Sequence, residues 1–250
     1  MINNTELKQK QFIAAMDLYE NKRIYQLFGK FISTINISLQ IIIAYMVIPI
    51  YIDVWWKIFS FIVAYVLADF INGLVHMHMD NQDDYKSIAG PLIASFHLHH
   101  KTPLYTKKNI LLVYFNESGS KIWLSGFLII TSIAIGIFHI NTVISYIILY
   151  FSLLSSVAEV SHYLCHVSDE RLVDFFRGSG LLLGKRHHGT HHSEDNVNYA
   201  FLNGMSDPLI NIIAKRFYSG YKNTTDKHYA YYQGKGTKNR GQISEQTYIK

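Results

Sequence analysis

The stretch IWLSGFLIITSIAIGIFHINTVISYIILYFSLLSSVA, residues 122–158, decides the fold: it holds 37 consecutive positions without Asp, Glu, Lys or Arg. A helix needs about 20 such residues to cross a bilayer, so the run is too long for one span. Ile140-Asn141-Thr142 supplies a polar break in its middle. The run therefore predicts a hairpin of two spanning helices, near 122–140 and 143–165. Further toward the N-terminus, residues 31–52 are uncharged over 22 positions, and Ile58 to Val75 is interrupted only by Asp69. These predict a second hairpin with a short connection at Asp53-Val54, and Trp55 and Trp56 fit an interfacial aromatic belt. The expected fold class is all-α: an integral membrane protein with four transmembrane helices in two hairpins and a cytoplasmic histidine-rich helical cap.

Composition agrees. Only 16% of the 250 residues are charged, against roughly 25% in a soluble domain. The single cysteine, Cys165, excludes an intrachain disulfide, a four-cysteine zinc site and a cysteine-ligated iron–sulfur cluster. It reads as an apolar filler. Any metal must be held mainly by nitrogen and oxygen ligands. Of the 23 Lys and Arg, five lie in residues 1–30, five in 76–121 and twelve in 159–250, with Lys57 alone elsewhere. A four-span topology puts those three segments on one side, which the positive-inside rule makes cytoplasmic together with both termini.

Residues 1–30 lack the pattern of a secretory signal peptide and form an N-terminal cytoplasmic segment, with Phe12 to Phe31 expected as an interfacial helix. A membrane domain follows over 31–215. A polar tail over 216–250, rich in Tyr, Lys, Thr, Gln and Gly from Ser219 onward, reads as solvated and partly disordered.

The second unusual feature is thirteen histidines, the commonest protein ligands of metals. Eleven fall in four clusters that the topology brings to one membrane face. In the first, Asp69, Gly73, His76 and Asp80 share a helical face at the end of the second span, with His78 alongside. His97, His99 and His100 precede the third span. His162 and His166, at i,i+4, end the fourth, with Glu159 one turn earlier. His187, His188, His191 and His192 follow in the C-terminal region.

An i,i+4 pair sets two imidazoles one turn apart, the spacing that chelates one ion on a helix. Four clusters at one depth exceed the needs of one ion, so two metals are expected. Imidazole with some carboxylate suits Fe, Zn, Cu or Ni, and spacing does not choose among them. Asp69, within a span, is expected to hydrogen-bond a liganding histidine or else to satisfy Asn72 and the backbone. His139 reads as an interfacial polar residue and His228 as solvated.

The ordered set Ala68-Asp69-Phe70, Gly73, His76, Asp80, His99-His100, Pro103, His162, His166, His188, His191-His192, Asn198-Tyr199 and Gly204 resembles the membrane lipid desaturases. That family includes plasmanylethanolamine desaturase, which forms plasmalogens, and the plant plastid palmitate trans-desaturase acting on phosphatidylglycerol. The resemblance runs from about residue 60 to 215. It implies a membrane enzyme with a di-iron centre that uses O2 and two electrons to remove two hydrogens from a lipid chain. It selects His76, His99, His100, His162, His166, His188, His191 and His192 as iron ligands.

The resemblance leaves His78, His97 and His187 as additional local histidines and, with Asp80, Asp69 and Glu159, as further candidates for the ligand set or its support. Asp80-Asn81, His99-His100-Lys101-x-Pro103 and Gly180-Leu181-Leu182 look more like the plant branch. The tryptophans beside His76 and His166, and the histidine near Gly180, found in the vinyl-ether-forming branch are absent. Thr106-Lys107-Lys108 stands where the family usually has a Thr-Arg pair.

The expected activity is therefore O2-dependent desaturation of an acyl or alkyl chain of a glycerophospholipid. A di-iron hydroxylase is the nearest rival, and a non-catalytic zinc-binding or transport protein a more distant one. No flavin, haem or nicotinamide motif is present, so electrons are expected from a cytochrome b5-like protein or a ferredoxin. Lys101, Lys107, Lys108, Lys185 and Arg186 are candidates for contact with a phosphate headgroup or an acidic donor, or else mark topology alone. Nothing points to nucleic acid.

Overall fold

The computed structural model describes residues 4–100, 109–194, 196–217 and 229–233. These are helical, with no strand among them: α1 (Asn4–Asn21), α2 (Arg23–Val47), α3 (Val54–Asn81), α4 (Gly90–His97), α5 (Ile110–Glu117), α6 (Ile122–Ile137), α7 (Thr142–Val167), α8 (Arg171–Gly178), α9 (Lys185–Ser193) and α10 (Asp207–Phe217). Single 3-10 turns cover Leu98–His100 and Ser118–Ser120.

Three helices, α2, α3 and α7, are long and apolar enough to cross a membrane. Ile41, Trp55, Ile62, Ile130 and Ile133 are exposed on the bundle exterior, as side chains facing lipid are. Both expected turns are capped by the residues that break the apolar runs. Asp53 accepts from the Trp55 N–H and Asn141 from the Val143 N–H, each at 2.9 Å. These caps satisfy first-turn donors that would otherwise be orphaned.

The third expected span, 122–140, differs. α6 has 16 residues, short of the 20 or so that a bilayer requires. It reaches candidate length only with the preceding Ile110–Ser120 segment, from which it turns by 89°. The bundle thus has three continuous candidate spans and one sharply bent pair of helices. Lys121 stands at the bend, where its backbone carbonyl accepts from Asn36 at 3.1 Å and its side chain turns into the protein.

α3 and α7 run side by side in the same direction. Ser60, early in α3, donates to the Val143 carbonyl at the start of α7, and the His76 and His162 rings near their far ends are 6.3 Å apart. α3 continues to Asn81, so His76 and Asp80 stay on one rigid helix.

Both terminal segments add packing to the bundle. The helix expected over Phe12 to Phe31 is interrupted at Lys22, and α1 buries Phe12, Ala15 and Met16 against α4 and Tyr85. In the tail, Tyr229, Ala230 and Tyr232 are buried in the same cluster. The Tyr232 hydroxyl donates to Asp17 at 2.7 Å. Burial of three apolar or aromatic side chains outweighs the polar composition around them.

Candidate metal centre

The ends of α3 and α7, the 3-10 turn at Leu98–His100 and helix α9 bring the histidines into two groups. His76, Asp80, His100 and His191 form one, and His162, His166, His188 and His192 the other. In each, the potential ligand atoms lie within 4.8 Å of one another.

In the second group the ring nitrogens converge. His188 Nε2 is 2.9 Å from His162 Nε2, 3.0 Å from His166 Nε2 and 2.9 Å from His192 Nε2. Nitrogens about 2.1 Å from one ion stand roughly 3 to 3.4 Å apart, so this spacing fits a shared cation. In the first group Asp80 is the hub. Its Oδ1 is 3.0 Å from His100 Nε2, and its Oδ2 is 3.4 Å from His76 Nε2 and 3.3 Å from His191 Nε2. His99 belongs to neither group and lies between them, its ring 4.2 Å from His100 and 5.1 Å from His162.

Hydrogen bonds set the orientation. Backbone carbonyls only accept, so His76 Nδ1 donates to Tyr199 at 2.7 Å, His99 Nδ1 to Phe96 at 2.5 Å and His191 Nδ1 to Val197 at 2.9 Å. Each neutral ring then presents an Nε2 lone pair inward, and none of these three buried Nε2 atoms makes a hydrogen bond among the described residues. A ring nitrogen held by a carbonyl with the other nitrogen left bare is how metal-ligating histidines are oriented. Burial, the largest cause, holds the imidazoles outside the spans below their usual range: His99 at about 3, and His100, His188 and His192 well below it. They are neutral at physiological pH, the form that binds metal. The donor set fits imidazole-binding divalent ions.

The carbonyls come from a segment whose sequence supports this local shape. Asn196 and Asn198 have φ of 54° and 57°, a region asparagine tolerates, and they turn the chain after α9 so that Val197 and Tyr199 face the rings. Gly73 lets this segment lie against α3, because a Cβ there would stand 3.1 Å from Ala200 Cα.

The further candidates have other partners. Asp69 bonds no histidine among the described residues. It accepts from the N–H groups of Asn203, Gly204 and Ser206 at 3.0, 3.2 and 2.9 Å and from the Ser206 hydroxyl at 2.6 Å, fixing the turn before α10. His97 is held by the Tyr85 hydroxyl at 2.8 Å and the Met79 carbonyl at 3.0 Å. His187 Nε2 is 2.6 Å from Asp207 Oδ2. His78 and His139 are exposed. Glu159 pairs with Lys121 at 3.0 Å. Lys185 pairs with Asp169, and Arg186 is exposed. Lys101, Lys107, Lys108 and His228 lie outside the described residues.

The sequence reading missed Lys121, which it took as a topology marker. Lys121 is 3% exposed, bonds Asn72 and lies 4.9 Å above the Phe201 ring. Phe201 in turn packs on His76 and His162, at 5.3 and 5.5 Å. The available signal was its position at one edge of the 122–158 apolar run, whose other edge is Glu159.

Fold and site together define a helical membrane protein with a buried histidine–carboxylate cluster at one end of its bundle. The chain matches a family model described as a lipid desaturase domain over residues 65–223, and it belongs to that family. No curated protein and no solved structure matches it. Membership supports a lipid desaturase type of function in a multi-pass membrane oxidoreductase.

Proposed function

We propose that the chain is an O2-dependent di-iron desaturase that introduces a double bond near the headgroup of a glycerophospholipid, in an acyl or alkyl chain. It would be of the fatty-acyl trans-desaturase or plasmanylethanolamine desaturase type. The observation that carries this reading is the set of inward-facing, carbonyl-oriented Nε2 atoms at His76, His99 and His191, beside the convergent nitrogens of the second group.

His76, Asp80, His100 and His191 would hold one iron, and His162, His166, His188 and His192 the other, with His99 available between them. The irons, when bound, supply O2 activation and electron transfer. In the overall balance, one O2, two external electrons, two protons and the two hydrogens taken from adjacent carbons become two waters and one double bond. The chain's own residues orient the imidazoles and exclude water. Phe96 and Phe201 pack edge-on against His76 at 5.6 and 5.3 Å. Electrons come from a separate cytochrome b5-like protein or ferredoxin. The basic segments would put the centre and the N- and C-terminal segments on the cytoplasmic side.

The gathering of ligands at one end of the bundle argues against zinc transport, which needs a midplane site with access from both sides. Hydroxylation by the same centre differs only in product. The test is expression in a host supplied with an electron donor, with lipid analysis and metal analysis of the purified protein. Two iron per chain and a new double bond that disappears in His162→Ala and His191→Ala are expected. A hydroxylated lipid, or bound zinc with no lipid change in air, would overturn the desaturase reading.

A further inference from the structure

Away from the histidine cluster, a cleft of about 550 Å³ opens between the end of α8 and the start of α9, lined by Arg177, Lys185, Arg186, His187, Thr190 and Asn198 among others. Three of these are permanent cations. The Arg177 side chain is 8% exposed and donates to Asp174 at 2.5 Å and to the Leu164 and Ser168 carbonyls at 2.6 and 3.0 Å. Its buried Nε makes no hydrogen bond among the described residues. Lys185 pairs with the exposed Asp169. Arg186 pairs with no carboxylate among the described residues and stands exposed at the rim. α9 begins at Gly184 without a side-chain cap, so its first amides add the partial positive charge of a helix end.

The surroundings of this cleft are apolar and tied to a candidate span. α8 exposes Leu172 and Phe175, and Leu181 follows beyond it. The Leu181 carbonyl accepts from the Tyr65 hydroxyl, on spanning helix α3, at 2.6 Å. An apolar face pinned against a span, with arginines and lysine beside it, is the composition of an interfacial segment. Guanidinium groups match phosphate oxygens in planar, two-pronged geometry.

We infer that this cleft takes the phosphate group of a glycerophospholipid. The inference rests on the substrate class proposed above and adds the place of its headgroup. α9 lines the cleft at Lys185, Arg186 and Thr190 and presents His188, His191 and His192 to the metal groups. A phosphate held here is therefore separated from the histidines by about one helix diameter, roughly 10 Å. A lipid chain running from the cleft around α9 to the histidines would present carbons near its headgroup to them.

The test is equilibrium binding to the purified full-length chain in detergent. The probes are dihexanoyl phosphatidylglycerol, dihexanoylglycerol without phosphate, and inorganic phosphate. Arg186→Glu and Arg186→Lys are compared with the unmodified chain, and a thermal melting curve verifies that each variant keeps its fold. The phospholipid should bind, weakened about tenfold or more by Arg186→Glu, as expected for loss of a charge-assisted hydrogen bond, and much less by Arg186→Lys. Equal phospholipid binding by Arg186→Glu, or equally tight binding of the phosphate-free lipid, overturns the inference. Inorganic phosphate binding as tightly as the phospholipid overturns it too, in favour of a free-phosphate site. Arg186-dependent phospholipid binding in a chain that forms no double bond in cells leaves the cleft standing and removes the desaturase reading alone.

Discussion

Asp80 Oδ1 and His100 Nε2 meet at 3.0 Å inside the protein, joining the last turn of α3 to the 3-10 turn at Leu98–His100. The other oxygen of the same carboxylate faces His76 and His191. One carboxylate therefore organises three imidazoles from three separate segments.

Replacing Asp80 tests that arrangement. Asp80→Asn keeps the shape and removes the charge that favours a cation. Metal affinity of the first group should fall roughly 10- to 100-fold, and metal analysis should find nearer one ion per chain than two. Two tightly held ions in Asp80→Asn would contradict the role.

His97 and His99, two positions apart, should behave differently. Both ring nitrogens of His97 are used by Tyr85 and Met79, so His97→Ala should lower thermal stability by about 1–3 kcal/mol and retain bound metal. His99→Ala should keep most of the stability and lose the lipid product. The checks are a melting curve, a metal assay and lipid analysis on the same preparations.

Lys121 and Glu159 form a buried pair with side chains 4% and 12% exposed. Removing one partner strands the other, which costs about 3–5 kcal/mol. Lys121→Met should therefore destabilise strongly, and the double variant with Glu159→Leu should recover much of the loss. A double variant no more stable than Lys121→Met would show that the pair is not coupled.

Acid should unfold the metal-free protein early. His99, His100, His188 and His192 have folded pKa values below the usual 6.5, mainly through burial. Below 6.5 the unfolded chain binds protons at these groups before the folded chain does, so stability is full above that pH and falls as pH drops toward the folded values. Melting temperatures of metal-free protein should decline from about pH 7 to pH 5, and bound metal should raise them most at the upper end of that range, because protons compete for the same nitrogens. A melting temperature independent of pH over this range would contradict the burial of these rings.

Apolar run length made α2, α3 and α7 legible, because a bilayer imposes a length on any chain that crosses it, and Asp53 and Asn141 marked the turns. The bend before α6 was not legible, since a count of uncharged residues cannot tell a straight span from a helix that follows a sharp bend. The grouping of histidines was legible from i,i+4 spacing at His162/His166 and His188/His192. The assignment of Asp69 was not, because its partners Asn203, Gly204 and Ser206 lie more than a hundred residues away.

The sequence by itself determined the helical membrane class, the four histidine clusters and their convergence at one end of the bundle. These follow from local composition and helical periodicity. Only the tertiary structure decided that Asp80 sits among three imidazoles, that His97 serves Tyr85 and Met79, that His99 lies between the two groups, and that Lys121 is buried beside the centre. Those relationships are contacts between distant segments, and packing in three dimensions, rather than spacing along the chain, sets which polar atoms are left facing inward.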